Sequence, residues 1–522
     1  MRYPIGNQDF RSLRAKGFVY VDKTEHICRI PDAGEYFFLS RPRRFGKSLT
    51  VSTLKELYSG DRELFQGLWA YDNWSFAERQ RPVIHIKFDE SGFQTSGLPV
   101  AINQLIDYEA KRLGVAAPTP SADYGRRFRA LVEAVAGTHP SGRCVVLIDE
   151  YDKPIINYLS DLVKAKANRD ALRSFYGVLK PADEYIELVF ITGVSAFSKV
   201  SLFSDLNNIR QLTLDPLAHT LAGLTEAELD AYFATQLDAT GFTREQVRHW
   251  YNGYTWGGER VYNPWSLLNF LGSGQLDNFW STSGTPKFVT DLLAREGVTE
   301  LDGEQRSPTQ LTGFDLDNLD AAAVLWQGGY FTLDASERGR LRTLRYPNAE
   351  VHETFTEALL HSYGFNRVQT NGRALRMGRA LRAGDLYAFG EEVDALLAGI
   401  PYELWQDATE RFYRAVVLTA FRYVGMFDAR AEVSSARGRA DVVLELPQRV
   451  YVLEFKLLRP TAAQLADDSA RAAAAEALAG EALAQIEERG YAKPYATDAR
   501  KVSVVAVVFD AERRRVAVVR EG

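Results

Sequence analysis

A chain of 522 residues exceeds what one hydrophobic core organises, so three or four domains are expected. With 46% hydrophobic and 25% charged residues, no apolar run long enough to span a bilayer and no signal-peptide pattern at Met1-Arg2-Tyr3-Pro4, the reading is a cytoplasmic multidomain protein without a membrane partner. Two cysteines, Cys28 and Cys144, exclude a disulfide framework and a cysteine zinc site, and a net charge of −6 does not advertise nucleic-acid binding, although a polyanion site depends on local patches rather than on the sum.

In chain order, the first strong element is an apolar strand at Tyr36 to Leu39, followed by Ser40-Arg41-Pro42-Arg43-Arg44-Phe45-Gly46-Lys47-Ser48 and then a helix. A phosphate-binding loop needs backbone N–H groups around the β and γ phosphates, a lysine to reach them and a hydroxyl for Mg²⁺, and Gly46, Lys47 and Ser48 supply its last three positions. The first glycine of the usual pattern is missing and Arg41 stands in its place, while Arg43 and Arg44 add positive charge where polyphosphate would lie.

Val83 to Phe88 reads as a further strand, and Val145 to Ile148 as a fully buried one that ends in Asp149 and Glu150. Asp149 is expected to hold Mg²⁺ through its water shell, and Glu150 to orient or deprotonate the water that attacks the γ-phosphate. Glu187 to Thr192 forms another strand, with Thr192 placed to touch the γ-phosphate or the attacking water. Helix-length segments between these strands give the rhythm of a parallel sheet, so the expected class is α/β, a P-loop NTPase of the additional-strand, AAA-like type.

These residues resemble the bacterial predicted AAA-ATPase family that is joined to a C-terminal PD-(D/E)XK nuclease-like domain. The resemblance rests on Tyr20-Val21-Asp22-Lys23-Thr24, the Arg-Pro-Arg-Arg-Phe-Gly-Lys-Ser loop, Leu147-Ile148-Asp149-Glu150-Tyr151-Asp152-Lys153-Pro154 and Thr192-Gly193-Val194-Ser195 with Phe197-Ser198-Lys199-Val200. Further on it rests on Trp250-Tyr251-Asn252-Gly253-Tyr254, Tyr262-Asn263-Pro264, Gly284-Thr285-Pro286 and Tyr346-Pro347-Asn348. It implies that the loop without a first glycine is a normal form, binding ATP through Arg43, Arg44, Phe45, Gly46, Lys47 and Ser48. One departure is Ala196, where that family tends to have Arg or Lys.

After residue 220, Leu224-Thr225-Glu226-Ala227-Glu228 carries a capping-box pattern that starts a helical segment, expected to be the lid of the nucleotide site. Trp250 to Tyr262 places aromatics around glycines, either a binding surface or a local aromatic core. The expected domains are an ATPase core at 1–220, the lid at 221–290, a mixed region of unread function at 291–404 and a nuclease-like domain at 405–522.

In that last domain, Asp441 to Leu446, Pro447-Gln448 and Arg449 to Lys456 read as a β-hairpin. With Pro447-Gln448 as the loop, Leu446 faces Arg449 and Asp441 faces Glu454, so Asp441, Glu454 and Lys456 share one face. A PD-(D/E)XK nuclease, an α/β restriction-endonuclease-like fold, needs this arrangement: Asp441 and Glu454 bind Mg²⁺ or Mn²⁺, and Lys456 positions the attacking water. Glu410 on the preceding helix is a candidate further ligand. Gln485 and Tyr491 resemble the glutamine–tyrosine pair of RecB-like members, with Gln485 counted among the catalytic residues. An alanine-rich stretch, Ala472 to Ala484, is expected to be a helix ending at Gly490.

Two functions follow. One is ATP-controlled, metal-dependent cleavage of nucleic acid, DNA in particular, with a homo-oligomer as a possible form. The other is a nucleotide switch or assembly protein whose nuclease-like domain only binds nucleic acid or protein.

Overall fold

The structure is a computed structural model that describes residues 2–89, 91–195, 206, 208–280, 293, 301–313, 316, 320–334, 339–363, 367–400, 402–405, 409–423, 428–435 and 438–522. Ala196 and the motifs at 197–200 and 284–286 lie outside the described residues. The chain divides into two compact units, one of residues 1–283 with 302–352 and one of 284–301 with 353–522.

In the first unit, β1 (Tyr36–Ser40), β2 (Val83–Lys87), β3 (Cys144–Asp149), β4 (Ile186–Gly193) and β5 (Arg210–Gln211) form an all-parallel sheet in the order β2-β3-β4-β1-β5. Every residue of β1 and β3 is buried, which is why their apolar runs do not alternate: helices cover both faces. On one face, Leu54 and Leu57 of α1 (Lys47–Ser59) pack on Val145, Leu147 and Phe190. The other long helices between strands are α2 (Leu98–Leu113), α3 (Tyr124–Ala136) and α4 (Leu162–Tyr176), and Phe128 of α3 stacks on Phe175 of α4 at 4.3 Å. Because β4 lies between β1 and β3, the loop after β1 and the acids after β3 flank one strand end. The carboxyl ends of such strands are where a parallel sheet binds its ligand.

The helical segment beyond the sheet is set by its caps. Thr225 and Glu228 form a capping box at the start of α5 (Glu226–Ala239), Thr243 and Gln246 do the same for α6 (Arg244–Tyr251), and Asn263 caps α7 (Pro264–Ser273) with Pro264 in its first turn. Leu229, Phe233, Tyr251, Tyr262 and Phe270 form their common core. A small antiparallel sheet of β6 (Gln305–Arg306), β7 (Thr332–Leu333) and β8 (Arg342–Arg345), in the order β6-β8-β7, also belongs to this unit.

The second unit is built on β9 (Asp428–Ser435), β10 (Gly438–Glu445), β11 (Arg449–Leu458), β12 (Lys501–Asp510) and β13 (Arg515–Glu521), in the order β13-β12-β11-β10-β9. β11 and β12 are parallel and the other pairs antiparallel. Leu444, Leu453, Phe455 and Val507 on one face share a core with Leu381 of α8 (Arg367–Ala383), Phe389 of α9 (Leu386–Leu397) and Tyr413 of α10 (Glu410–Tyr423). The core of this unit therefore begins well before residue 405. The opposite face packs on Ala479, Ala482 and Ile486 of α11 (Asp468–Arg489), whose alanines allow close approach and which stops at Gly490 in the left-handed conformation. No helix among the described residues is long and apolar enough to cross a membrane.

Candidate functional site

Two constellations of charged residues stand at strand ends, one in each unit. In the first unit, Gly46 holds φ +86° and open space surrounds the place of a Cβ, so the requirement for glycine there is conformational. Arg44 also takes a positive φ, +66°. The loop is thus curled before α1 begins at Lys47, leaving the N-terminus of α1 facing the site.

Lys47 is buried, and its Nζ donates to the carbonyls of Arg41 and Pro42 at 2.9 Å each, closing the loop on itself. Its pKa is lowered by burial, an effect opposed by the acids Glu150, Asp149 and Asp152. Asp149, also buried, accepts from Thr192 Oγ1 at 2.7 Å and from the Glu150 N–H at 3.0 Å through Oδ1, and from the Ser48 hydroxyl. Burial raises its pKa against those bonds. Glu150 has φ +51°, a strained conformation for a non-glycine residue, and pairs with Lys153 at 2.7 Å.

A cleft of about 550 Å³ opens in front of these groups, lined by Arg43, Lys47, Ser48, Glu150, Asp152 and Trp265 among others. It is wide enough for a nucleotide. The Arg44 guanidinium lies 4.0 Å from the Trp265 ring centroid.

In the second unit, β10 and β11 pair in the register Val442↔Leu453 and Glu445↔Val450, and the Leu446 N–H donates to the Arg449 carbonyl at 2.8 Å. This is the register the two-residue loop predicts. Asp441 and Glu454, one step beyond the Val442 pair, are both buried. Asp441 Oδ2 accepts the Phe455 N–H at 2.9 Å. Gln485 of α11 donates from Nε2 to Glu454 Oε1 and accepts at Oε1 from Lys456 Nζ at 2.8 Å, and Lys456 Nζ lies 3.4 Å from Glu454 Oε1. Tyr491 Oη stands 3.5 Å from Gln485 Nε2.

Burial and then the charge of Asp441 push the Glu454 pKa up to about 7. Glu410, half-buried, is raised too, by burial first and by Asp441 second. Glu454 Oε2 is buried with no hydrogen-bond partner among the described residues. A hard divalent cation would satisfy that orphaned oxygen and the crowding of carboxylates, so the donor set fits a divalent metal ion. Among the described residues no group of three or more His, Cys, Asp or Glu is placed to hold a metal ion.

A family model described as Predicted AAA-ATPase matches residues 4–203, and one described as PD-(D/E)XK nuclease superfamily matches residues 408–518. A protein of Azotobacter chroococcum mcd 1, described as an uncharacterized protein in vnfD 5'region, is 34% identical over 529 residues, which covers 99% of this chain and 98% of that protein. The chain belongs to the family of predicted AAA-ATPases joined to a C-terminal PD-(D/E)XK nuclease superfamily domain.

Within the AAA-ATPase-like domain, Lys47, Ser48, Asp149, Glu150 and Thr192 come together, and Arg43 and Arg44 line the same cleft. Phe45 does not offer its side chain there. It is buried edge-on against Tyr254 and Trp256, with ring centroids 4.7 and 5.4 Å away, so the aromatic motif after residue 250 is a core that anchors the loop. Gly253 in that motif could not be replaced: a Cβ would stand 1.8 Å from the Pro347 carbonyl oxygen, which brings the motif at Tyr346-Pro347-Asn348 against it.

Two charged residues were not singled out by sequence. Asp152, fully buried, accepts the Ser195 N–H at 2.6 Å while the neighbouring Tyr151 hydroxyl donates to the Ser195 carbonyl at 2.8 Å, so both sides of one residue after β4 are held. Its spacing in Asp149-Glu150-Tyr151-Asp152 was the available signal. Within the nuclease superfamily domain, Arg414 Nη1 donates to Asp441 Oδ1 at 2.5 Å. It sits four residues after Glu410, hence on the same helix face, which was a usable signal.

Proposed function

We propose that this protein binds and hydrolyses ATP with Mg²⁺ at the Lys47 cleft and cleaves DNA at the Asp441–Glu454 site with Mg²⁺ or Mn²⁺, under nucleotide control. The observations that support the reading are the hairpin register, which sets Asp441 on the same face as Glu454, and the hydrogen bonds that join Glu454, Lys456 and Gln485, inside a PD-(D/E)XK domain.

At the first site, Lys47 would leave the loop carbonyls for the β and γ phosphates, joined by the N–H groups at the start of α1 and by Arg43 and Arg44. Ser48 and Asp149 would hold Mg²⁺, with Thr192 fixing the Asp149 carboxylate. Glu150 would take the proton of the attacking water once its bond to Lys153 is released. At the second site, Asp441 and Glu454 would hold the cation, which polarises the scissile phosphate and lowers the pKa of a bound water. Lys456, itself held by Gln485, would orient that water and offset the charge developing on the phosphate.

The alternative is a nucleotide switch or assembly protein whose nuclease-like domain only binds. The Arg414–Asp441 ion pair favours it, because a cationic side chain already neutralises one of the two carboxylates.

The deciding experiment is cleavage of linear, circular and single-stranded DNA with Mn²⁺ or Mg²⁺, with and without ATP, in wild type, Lys47→Ala and Glu454→Ala. Cleavage should vanish in Glu454→Ala and should respond to ATP only when Lys47 is present. No cleavage by wild type in any condition, with ATP hydrolysis intact, would move the assignment to the switch.

A further inference from the structure

Arg414 projects from α10 one turn after Glu410, and its bond to Asp441 Oδ1 joins side chains only 14% and 12% exposed. An ion pair so far removed from water is not a fluctuating surface contact. Asp441 Oδ2 accepts the Phe455 N–H and keeps a second lone pair, while Oδ1 is the oxygen that Arg414 holds. Glu454 has the opposite character: its Oε2 is buried with no partner among the described residues. The site is therefore asymmetric: Arg414 holds Asp441 at close range, whereas Glu454 meets Lys456 only at 3.4 Å through Oε1 and keeps Oε2 unsatisfied.

Two positive charges at contact distance on one carboxylate oxygen repel strongly in a partly desolvated site. A divalent ion using Asp441 must push the guanidinium away or bind without that oxygen. We propose that Arg414 is the resident counter-cation of the metal site: it holds Asp441 in the metal-free protein, is displaced by the divalent ion, and so sets the metal affinity low. This rests on the metal-dependent nuclease reading. It makes Arg414 a positioning residue that acts through Asp441, keeping the site charge-balanced and unreactive until the cation concentration is sufficient.

The test is Mn²⁺ binding to the full chain without nucleotide or nucleic acid, read by electron paramagnetic resonance of free Mn²⁺. Wild type is compared with Arg414→Gln, Arg414→Lys and Asp441→Asn. Removing the competing charge in Arg414→Gln should tighten binding at this site by roughly tenfold or more. Arg414→Lys, which keeps the charge, should stay within about threefold of wild type, an outcome that a purely packing role would not produce. Asp441→Asn should abolish the site in both backgrounds. Arg414→Met, which keeps the apolar stem, replaces Arg414→Gln if the latter does not fold, with the same expected tightening. Unchanged or weaker binding in the neutral variants, with wild type still binding at Asp441, overturns this inference alone. Absence of Mn²⁺ binding in wild type and neutral variants alike overturns the nuclease reading and this inference with it.

Discussion

Arg41 stands where a phosphate loop usually has its first glycine, and its guanidinium turns inward. It donates to the carbonyls of Ser40, Thr213 and Ala218 at 2.9, 2.8 and 2.7 Å and lies 4.0 Å from the Trp256 ring centroid, so it ties the loop to the chain after β5. Sequence shows a basic residue in a basic loop; only the long-range carbonyls reveal that its role is structural. Lys47, Asp149 and Glu150 were legible because each follows a strand whose apolar run is diagnostic, whereas the Asp152 contact to Ser195 joins residues 43 apart. Burial raises the Asp152 pKa to about 7, opposed by the Ser195 N–H and by Lys47. The sign follows directly: in the nucleotide-free protein the folded state holds this proton more tightly than the unfolded state. The stability it contributes is complete below about pH 4 and is lost as pH rises toward about 7. Asp152→Asn keeps an oxygen for Ser195 without the titration. Urea denaturation of the nucleotide-free protein should show wild type losing on the order of 2 kcal/mol between pH 5 and pH 8 relative to Asp152→Asn. Parallel pH profiles would remove Asp152 as the titrating group.

At the scale of elements, the capping box of α5 does more than start a helix. Glu228 accepts the Thr225 N–H at 2.8 Å and also pairs with Lys23 at 2.6 Å, while Lys23 Nζ donates to the Thr220 carbonyl at 2.7 Å. Lys23 is buried, with its pKa lowered by burial and supported by Glu228. One glutamate therefore caps α5 and neutralises a lysine from the segment before β1. Thr225→Ala removes only the cap, with an expected cost of about 1 kcal/mol. Glu228→Ala leaves a buried ammonium without its counter-charge and should cost about 3 kcal/mol. Lys23→Met added to Glu228→Ala should recover part of that loss, measured by urea midpoints. Equal costs for the two single variants would reduce Glu228 to a capping residue. The box itself was legible, since Thr225 and Glu228 are three residues apart; the partner, Lys23, lies 205 residues away and left no local trace. The β10–β11 hairpin was legible to its register, because alternation and a two-residue loop leave one pairing that shares a face between Asp441 and Glu454.

At the scale of the whole molecule, each unit has its own core, one around Leu54, Leu147 and Phe190, the other around Phe389, Leu453 and Phe455. The second extends into helices α8 and α9, which sequence left unread: their apolar faces meet strands more than fifty residues later, as in the bond from Tyr451 to the Leu381 carbonyl at 2.6 Å. Two cores imply that the chain does not unfold in one two-state step, and calorimetry should resolve two transitions. A ligand that binds only the native form stabilises it by about 2.7 kcal/mol at a hundred times its Kd. ATP with Mg²⁺ should therefore raise the transition of the AAA-ATPase-like unit by a few degrees, and Lys47→Ala should abolish that shift. Nucleotide control of the nuclease superfamily domain requires a coupling free energy between the units, so the second transition should move with the first. If ATP shifts one transition and leaves the other in place, the two units share a chain but no linkage, and any effect of ATP on cleavage must come from somewhere other than the native equilibrium.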